Sequence, residues 1–389
     1  MKKKYLILAV VATILISALP FVMHFVWLLQ PAKELKLTIV DKTVSTPERN
    51  EHKSLSWILL NNKYSMADRQ LYSASEDYYG LFPADDRKYS IKDFEGYDSV
   101  KLKNIADQAD AVFYTDTYGL YKKEWYGSNL RGEHSPLIYG GTTQTDINFL
   151  RMMKAGKKLI MSEFNTIASP TSMAVRIQFE EMFGIKWTGW TGRYFDNLDT
   201  TINKEIPVWV IRDYKAQHHN EWPFTKAGIV FVKNTGRLEI LEYKNELTDA
   251  LPYILTNSVN QKRFGLPEKL KYSYWFDILR TKRSNNVVSV FNISCTERGD
   301  SLLKSMDIPN PFPAVIEHYE SDYKFYYFCG DFSDNPVVLF LSRFYGMPEF
   351  RWVFYSQSDP GERDSFFWLY YQPLVNTILK NYCNDLNKK

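Results

Sequence analysis

Cysteine is scarce in this chain: Cys295, Cys329 and Cys383 are the only three in 389 residues. They are too few and too widely spaced for a disulfide framework or a CxxC metal site. Two arrangements stay open, a Cys295–Cys329 pair, since each closes an expected strand, and three buried thiols. The six histidines (His24, His52, His134, His218, His219 and His318) contain no HExxH, and the adjacent His218 and His219 point apart. No metal and no cofactor is expected. Neither GxxxxGK[ST] nor GxGxxG occurs, which leaves no phosphate-loop or dinucleotide fingerprint. Excess charge is lacking as well. The net charge of +3 equals the contribution of Lys2, Lys3 and Lys4, so residues 5–389 sum to zero. A neutral body lacks the electrostatic footprint of a nucleic-acid binder, and that class is excluded. There is no internal repeat, low-complexity tract, Gly/Ser linker or second long apolar run.

What is present begins at the N-terminus. Residues 5–29 form an uncharged, mostly apolar run directly behind the three lysines. At about 1.5 Å per residue such a run covers the roughly 30 Å hydrocarbon core of a bilayer. A cleaved signal peptide is the competing reading, but its apolar core is usually about 7–15 residues and ends at a small-x-small site. Here Ser17-Ala18-Leu19-Pro20 is a poor site and the run continues to Trp27. The expectation is an uncleaved single-pass anchor at the cell membrane. Residues 1–4 would be a cytoplasmic tail, 5–29 a transmembrane helix, and 30–389 an extracytoplasmic domain. The membrane would be one partner, and an envelope glycan or other membrane proteins the others.

Aromatic residues make up 16% of the chain, with 10 Trp, 27 Tyr and 25 Phe. Large side chains fill cores and interfaces, and exposed rings also stack on sugars. Composition does not separate the two.

Residues 37–40, 111–114 and 159–161 are short apolar runs, alternating with helical patterns at 48–63, 99–108, 143–155 and 170–183. Thr143 or Thr145 is a helix cap, and Gly156 and Gly184 are stops. The alternation predicts an α/β fold, a mainly parallel, doubly wound sheet with helices on both faces. Residues 37–184 form its regular core. The pattern loosens over 185–389, expected as C-terminal insertions in one continuous domain.

Open parallel sheets bind ligands beyond the carboxyl ends of their strands. Three expected strands end in acids, Asp41, Asp116 and Glu163, and a fourth, at 326–329, runs into Gly330-Asp331-Phe332-Ser333-Asp334-Asn335. Carboxylates gathered in one crevice split their pKa values into an acid and a base, which suits glycosyl or acyl hydrolysis. Glu163, Asp116 and Asp331 are the candidate catalytic groups, with Asp41 in a binding role. Each could instead cap a helix or begin a turn. Trp187-Thr188-Gly189-Trp190-Thr191-Gly192-Arg193-Tyr194 offers Trp187, Trp190, Arg193 and Tyr194 as a carbohydrate rim, or equally as a tight turn burying two indoles. Gly140 and Gly141 precede a helix and are candidates for holding an anion at its N-terminus.

The order of strand 111–114, glycine pair Gly140-Gly141, helix, Gly156-Lys157-Lys158, strand 159–161 and sharp exit resembles the class I glutamine amidotransferase-like superfamily, whose sheet is flavodoxin-like. The segment 324–332 looks like the closing strand of its trehalose-utilisation-type members. The resemblance implies a reactive side chain at the elbow after strand 159–161. There, however, the chain reads Met161-Ser162-Glu163-Phe164-Asn165, without the cysteine or glycines of a GxCxG turn. A thiolate must attack an amide carbon, so glutaminase activity is not expected. Ser162 has no identifiable His-Asp pair to activate it. Glu163 is expected to carry a raised pKa near Asp116, or else to pair with Arg193. The reading is an extracytoplasmic binding or accessory protein of envelope or exopolysaccharide metabolism. A carboxylate-dependent glycan hydrolase and a scaffold for membrane proteins are the alternatives.

Overall fold

A computed structural model describes residues 2–127, 135–356, 358–359 and 362–388; His134 and Lys389 lie outside them. Five strands form a parallel core: β1 (Leu37–Asp41), β2 (Tyr79–Pro83), β3 (Ala111–Asp116), β4 (Leu159–Glu163) and β5 (Lys324–Phe328). Their spatial order is β2-β1-β3-β4-β5. The chain leaves β1 toward one edge and returns on its other side at β3, so the strand order reverses between β1 and β3. β4 is buried along its whole length and β3 over all but Asp116, as expected of strands covered on both faces. Helix Asn50–Asn61 follows β1 and packs with the C-terminal helix Gln372–Leu386. Just before that helix, Phe367 and Trp368 meet Trp57 edge-on. Helices Ser99–Gln108, Gln144–Ala155 and Met173–Phe183 pack side by side, each capped by the residue before it: Asp98, Thr143 and Ser172. Gly184, at φ 65°, closes the third.

The sheet is not mainly parallel. It has ten strands, and antiparallel ones flank the parallel core on both sides: Tyr89–Lys92 beside β2, and Phe312–Tyr319, Asn286–Asn292, Tyr253–Thr256 and Lys269–Lys271 beyond β5. The cause is local. Only four residues join Phe312–Tyr319 to β5, enough for a hairpin and too few for a parallel crossover. A second, four-stranded antiparallel sheet is built from Ile185–Phe195, Gly228–Lys233, Leu238–Glu242 and Trp275–Thr281. It packs on the first through Phe276, which lies against Phe291 and Phe312.

The expected transmembrane helix is also overturned: among the described residues, no helix is long and apolar enough to cross a membrane. The N-terminal run is helical over Lys2–Leu29, with Pro20 inside it. Its last two turns belong to the globular body. The Trp27 indole is buried and donates to the Leu60 carbonyl at 3.2 Å. His24 Nδ1 donates to the Arg343 carbonyl at 2.8 Å, and Tyr345 N to the Met23 carbonyl at 3.1 Å. Lys63 Nζ donates to the carbonyl of Leu28 in the last turn and of Gln30 just past it. All three cysteines are free thiols, so the Cys295–Cys329 pair does not form.

Candidate functional site

The carboxyl ends of the parallel strands bring the acids together. Asp41 ends β1, Asp116 ends β3, Glu163 ends β4, and Asp331 lies three residues past β5. Each apolar strand ends where an acid can leave the core, and the parallel pairing puts these ends on one edge. Asp116 feels the charges of Asp41 and Asp331, and Glu163 those of Asp331 and Asp116.

Their surroundings differ. Asp41 is fully buried; Oδ1 accepts from Thr43 N at 3.0 Å and Oδ2 lies 2.6 Å from His52 Nδ1. The other ring nitrogen, Nε2, donates to the Ala74 carbonyl at 2.8 Å, which holds the ring in place against Asp41. Asp116 accepts from Tyr118 N at 2.6 Å. Burial holds its carboxyl well above the usual range, and Asp41 and Asp331 add to the shift against the Tyr118 hydrogen bond. Glu163 accepts from Ser333 N at 3.2 Å and Ser333 Oγ at 2.7 Å. Burial and then Asp331 raise its pKa in spite of both donors. Asn165, at φ 72°, makes the sharp turn after it. The alternative partner, Arg193, pairs instead with Glu205 at 2.9 Å. Asp331 pairs with Arg363 at 2.6 Å, and the same guanidinium reaches Asp334 at 3.4 Å and covers the Tyr274 ring at 3.9 Å.

A cavity of about 510 Å³ opens beside β1 and β3 at the reversal of strand order. Hydroxyls of Thr43, Ser45 and Thr46, carboxyls of Glu51, Asp85 and Glu124, Arg87, and the rings of Tyr118 and Trp125 line it. Thr43 ties it to the acids, because its Oγ1 accepts from Gly119 N at 2.8 Å while its backbone N–H donates to Asp41. Glu51, in the first turn of helix Asn50–Asn61, reaches the cavity from one side. Burial first, then Asp41, Asp116 and Asp334, push its pKa up to about 9, so it is a neutral acid at pH 7. Asp334 rises to about 6, by burial and then by Asp331 and Asp41, with Arg363 opposing. A proton-bearing carboxyl facing a cavity next to ionisable neighbours can donate a hydrogen bond or a proton.

Glu51, Asp334, His52 and Arg363 were missed by sequence reasoning. The first turn of the helix after β1 was the available signal for Glu51 and His52, and Asp334 lies in the segment that offered Asp331. Arg363 lies 30 or so residues further on and had none.

Other candidates fall elsewhere. Trp187 and Trp190 are buried; their indoles donate to the carbonyls of Trp190 and Met306, both at 2.9 Å. A β-bulge between Trp187 and Thr191, with Gly189 at φ 86°, turns both rings inward, so they form no rim. Arg193 covers the rings of Phe195 and Trp275, and Trp275 stacks on Phe164 beside the acids. Tyr194 is half-buried, close enough to Asp196 and Asp249 to feel their charges. Gly140 and Gly141 lie where the chain packs closely against itself. A Cβ on Gly140 would stand 2.5 Å from Gly119 Cα, so glycine is needed for close chain approach. The helix N-terminus beyond is filled by its own Asp146, which accepts from Thr143 N at 2.7 Å and from buried Lys42 Nζ at 2.6 Å. The Ser162 hydroxyl is buried and, among the described residues, has no hydrogen-bond partner that could act as its base. Among the described residues, no group of three or more His, Cys, Asp or Glu is placed to hold a metal ion.

No family model and no curated protein matches the chain. Among solved structures it is similar to a β-galactosidase from Bacillus circulans sp. alkalophilus, at 8% identity and a TM-score of 0.37, over 92% of this chain and 32% of that one. It is similar to a ThuA-like protein from Bacteroides uniformis at 12% identity and a TM-score of 0.35, over 86% of this chain and 98% of the other. A carbohydrate deacetylase follows at 9% identity and a TM-score of 0.31, over 77% of this chain and 30% of that one. The chain thus spans about a third of the β-galactosidase. Likenesses this distant carry no argument about activity.

Proposed function

We propose that the chain is a binding protein for a neutral, polyhydroxylated ligand of the saccharide class, seated in the cavity at the β1–β3 reversal. The carrying observation is Glu51, a carboxyl held neutral to about pH 9 on the wall of that cavity. A neutral carboxyl both donates and accepts, as a sugar hydroxyl does. The hydroxyls of Thr43, Ser45 and Thr46 add donors and acceptors, and Tyr118 and Trp125 add aromatic faces. Position supports the same reading, since open α/β sheets take ligands at the reversal of strand order.

A second reading is favoured by one feature, the neutral Glu51 beside Asp116, which would let the site hydrolyse a glycosidic bond with Glu51 as proton donor. The test is a glycan array probed with the full-length chain, its Trp125→Ala variant and its Glu51→Gln variant. Binding of a neutral glycan that falls on the order of tenfold with Trp125→Ala is expected, the loss of one stacked ring. No bound neutral glycan, or binding unaffected by both variants, would overturn the proposal. Release of new reducing ends by the wild type and not by Glu51→Gln would establish the hydrolytic reading.

A further inference from the structure

The segment between β5 and the last helix leaves large apolar side chains in water. Val338, Phe340, Tyr345, Trp352 and Val353 are each more than half exposed. They sit on and around two short 3-10 helices, Leu339–Arg343 and Met347–Val353, joined through Gly346 at φ 72°. The N-terminal helix docks into this segment: its His24 ring lies 5.5 Å from Phe344, and the Tyr345 N–H closes onto the Met23 carbonyl. Exposed Phe21, Phe25, Leu28 and Leu29 continue the apolar surface onto the helix. Contiguous exposed apolar surface of this kind marks a contact site.

The helix decides what kind of occupant fits. Tyr5, Leu6 and Ile7, then Ile14, Leu15 and Ile16, are all more than half exposed. Successive helix residues point about 100° apart, so three in a row are apolar around most of the circumference. A flat protein partner covers one side of a helix, whereas a fluid apolar phase covers all of them. The patch has the composition of an interface between water and lipid. Trp352 and Tyr345 are amphipathic rings of the type enriched at headgroup depth. The charges around it are mostly positive: Arg343 and Arg351 within the segment against the single acid Glu349, and Lys63 at the helix end. We infer that this face rests on an anionic lipid surface, with Trp352 and Tyr345 at the headgroup level. The contact is with one leaflet, and no crossing of the bilayer is involved.

The experiment uses the full-length chain and vesicles of phosphatidylcholine, with and without phosphatidylglycerol. The protein should float with the mixed vesicles and bind pure phosphatidylcholine on the order of tenfold or more weakly, as three cations near an anionic surface require. Because the helix alone could hold lipid, the local readout is quenching of tryptophan fluorescence by brominated lipid. Trp352→Phe, which preserves the fold, should remove a quenched component present in the wild type. The same quenched fraction in both proteins, or a protein that stays in the aqueous fraction, would overturn the inference. So would lipid-free self-association that already shields Trp352, since the occupant would then be a second copy.

Discussion

Replacing Glu51 by glutamine should make the protein more stable at neutral pH. The folded pKa of about 9 lies above the ordinary 4.5, so the native state holds a proton that the unfolded state gives up. Stability therefore falls as pH rises from about 4.5 and levels off above about 9. At pH 7 the retained proton costs the native state up to about 3 kcal/mol, reduced to about 1–3 kcal/mol by water penetration and relaxation around the cavity. Glutamine keeps the shape and never ionises, so it removes this cost. Denaturant unfolding of the two proteins near pH 4.5, 7 and 9.5 is the assay, with the midpoint read at constant slope. The curves should coincide at the acid end, and the variant should lead by about 1–3 kcal/mol at pH 7 and by more at the alkaline end. A variant equal to or weaker than the wild type at every pH would show Glu51 to be an ordinary solvated carboxylate.

Glu163→Leu should cost about 1–3 kcal/mol in thermal unfolding, because it leaves the buried Ser333 N–H without the carboxyl oxygen that accepts from it; an unchanged melting temperature would mean the buried pairing does not form. Asp331→Asn removes the charged partner at 2.6 Å from Arg363, leaving the longer contact to Asp334 and the Tyr274 ring, so stability should drop by about 2–4 kcal/mol. Gly140→Ala places a methyl 2.5 Å from Gly119 Cα at φ 149°, and the variant should be recovered mostly unfolded, as far-ultraviolet circular dichroism would show. With Asp331 replaced, the titration of Asp334 followed by carboxyl carbon resonance should move below its present value of about 6, because a neighbouring negative charge has gone.

The acids at the strand ends were legible because each follows a run of buried apolar residues, and parallel pairing puts those ends on one edge. Asp41, Asp116, Glu163 and Asp331 could thus be placed in one region from spacing alone. The roles of neighbouring groups were not legible. Whether Glu51 faces the crevice or solvent depends on how helix Asn50–Asn61 is rotated over β1, which no local pattern specifies. The same applies to Asp331, whose ion pair comes from Arg363 in a distant segment. Trp187 and Trp190 show the limit most plainly: aromatic residues near glycines suit a sugar rim and a buried bulge equally, and the register shift at Gly189 decides for the bulge. The N-terminal run was misread for a similar reason. Hydropathy averages over His24 and Trp27, yet those two side chains fasten the helix end to Arg343 and Leu60.

Crystals of the full-length chain soaked with the neutral glycan that binds best on the array would test the account most directly. The account predicts ligand density in the cavity beside β1 and β3, with a sugar hydroxyl hydrogen-bonded to Glu51 and a ring face against Tyr118 or Trp125. Ordered glycan bound elsewhere on the molecule, with this cavity holding only water, would contradict it.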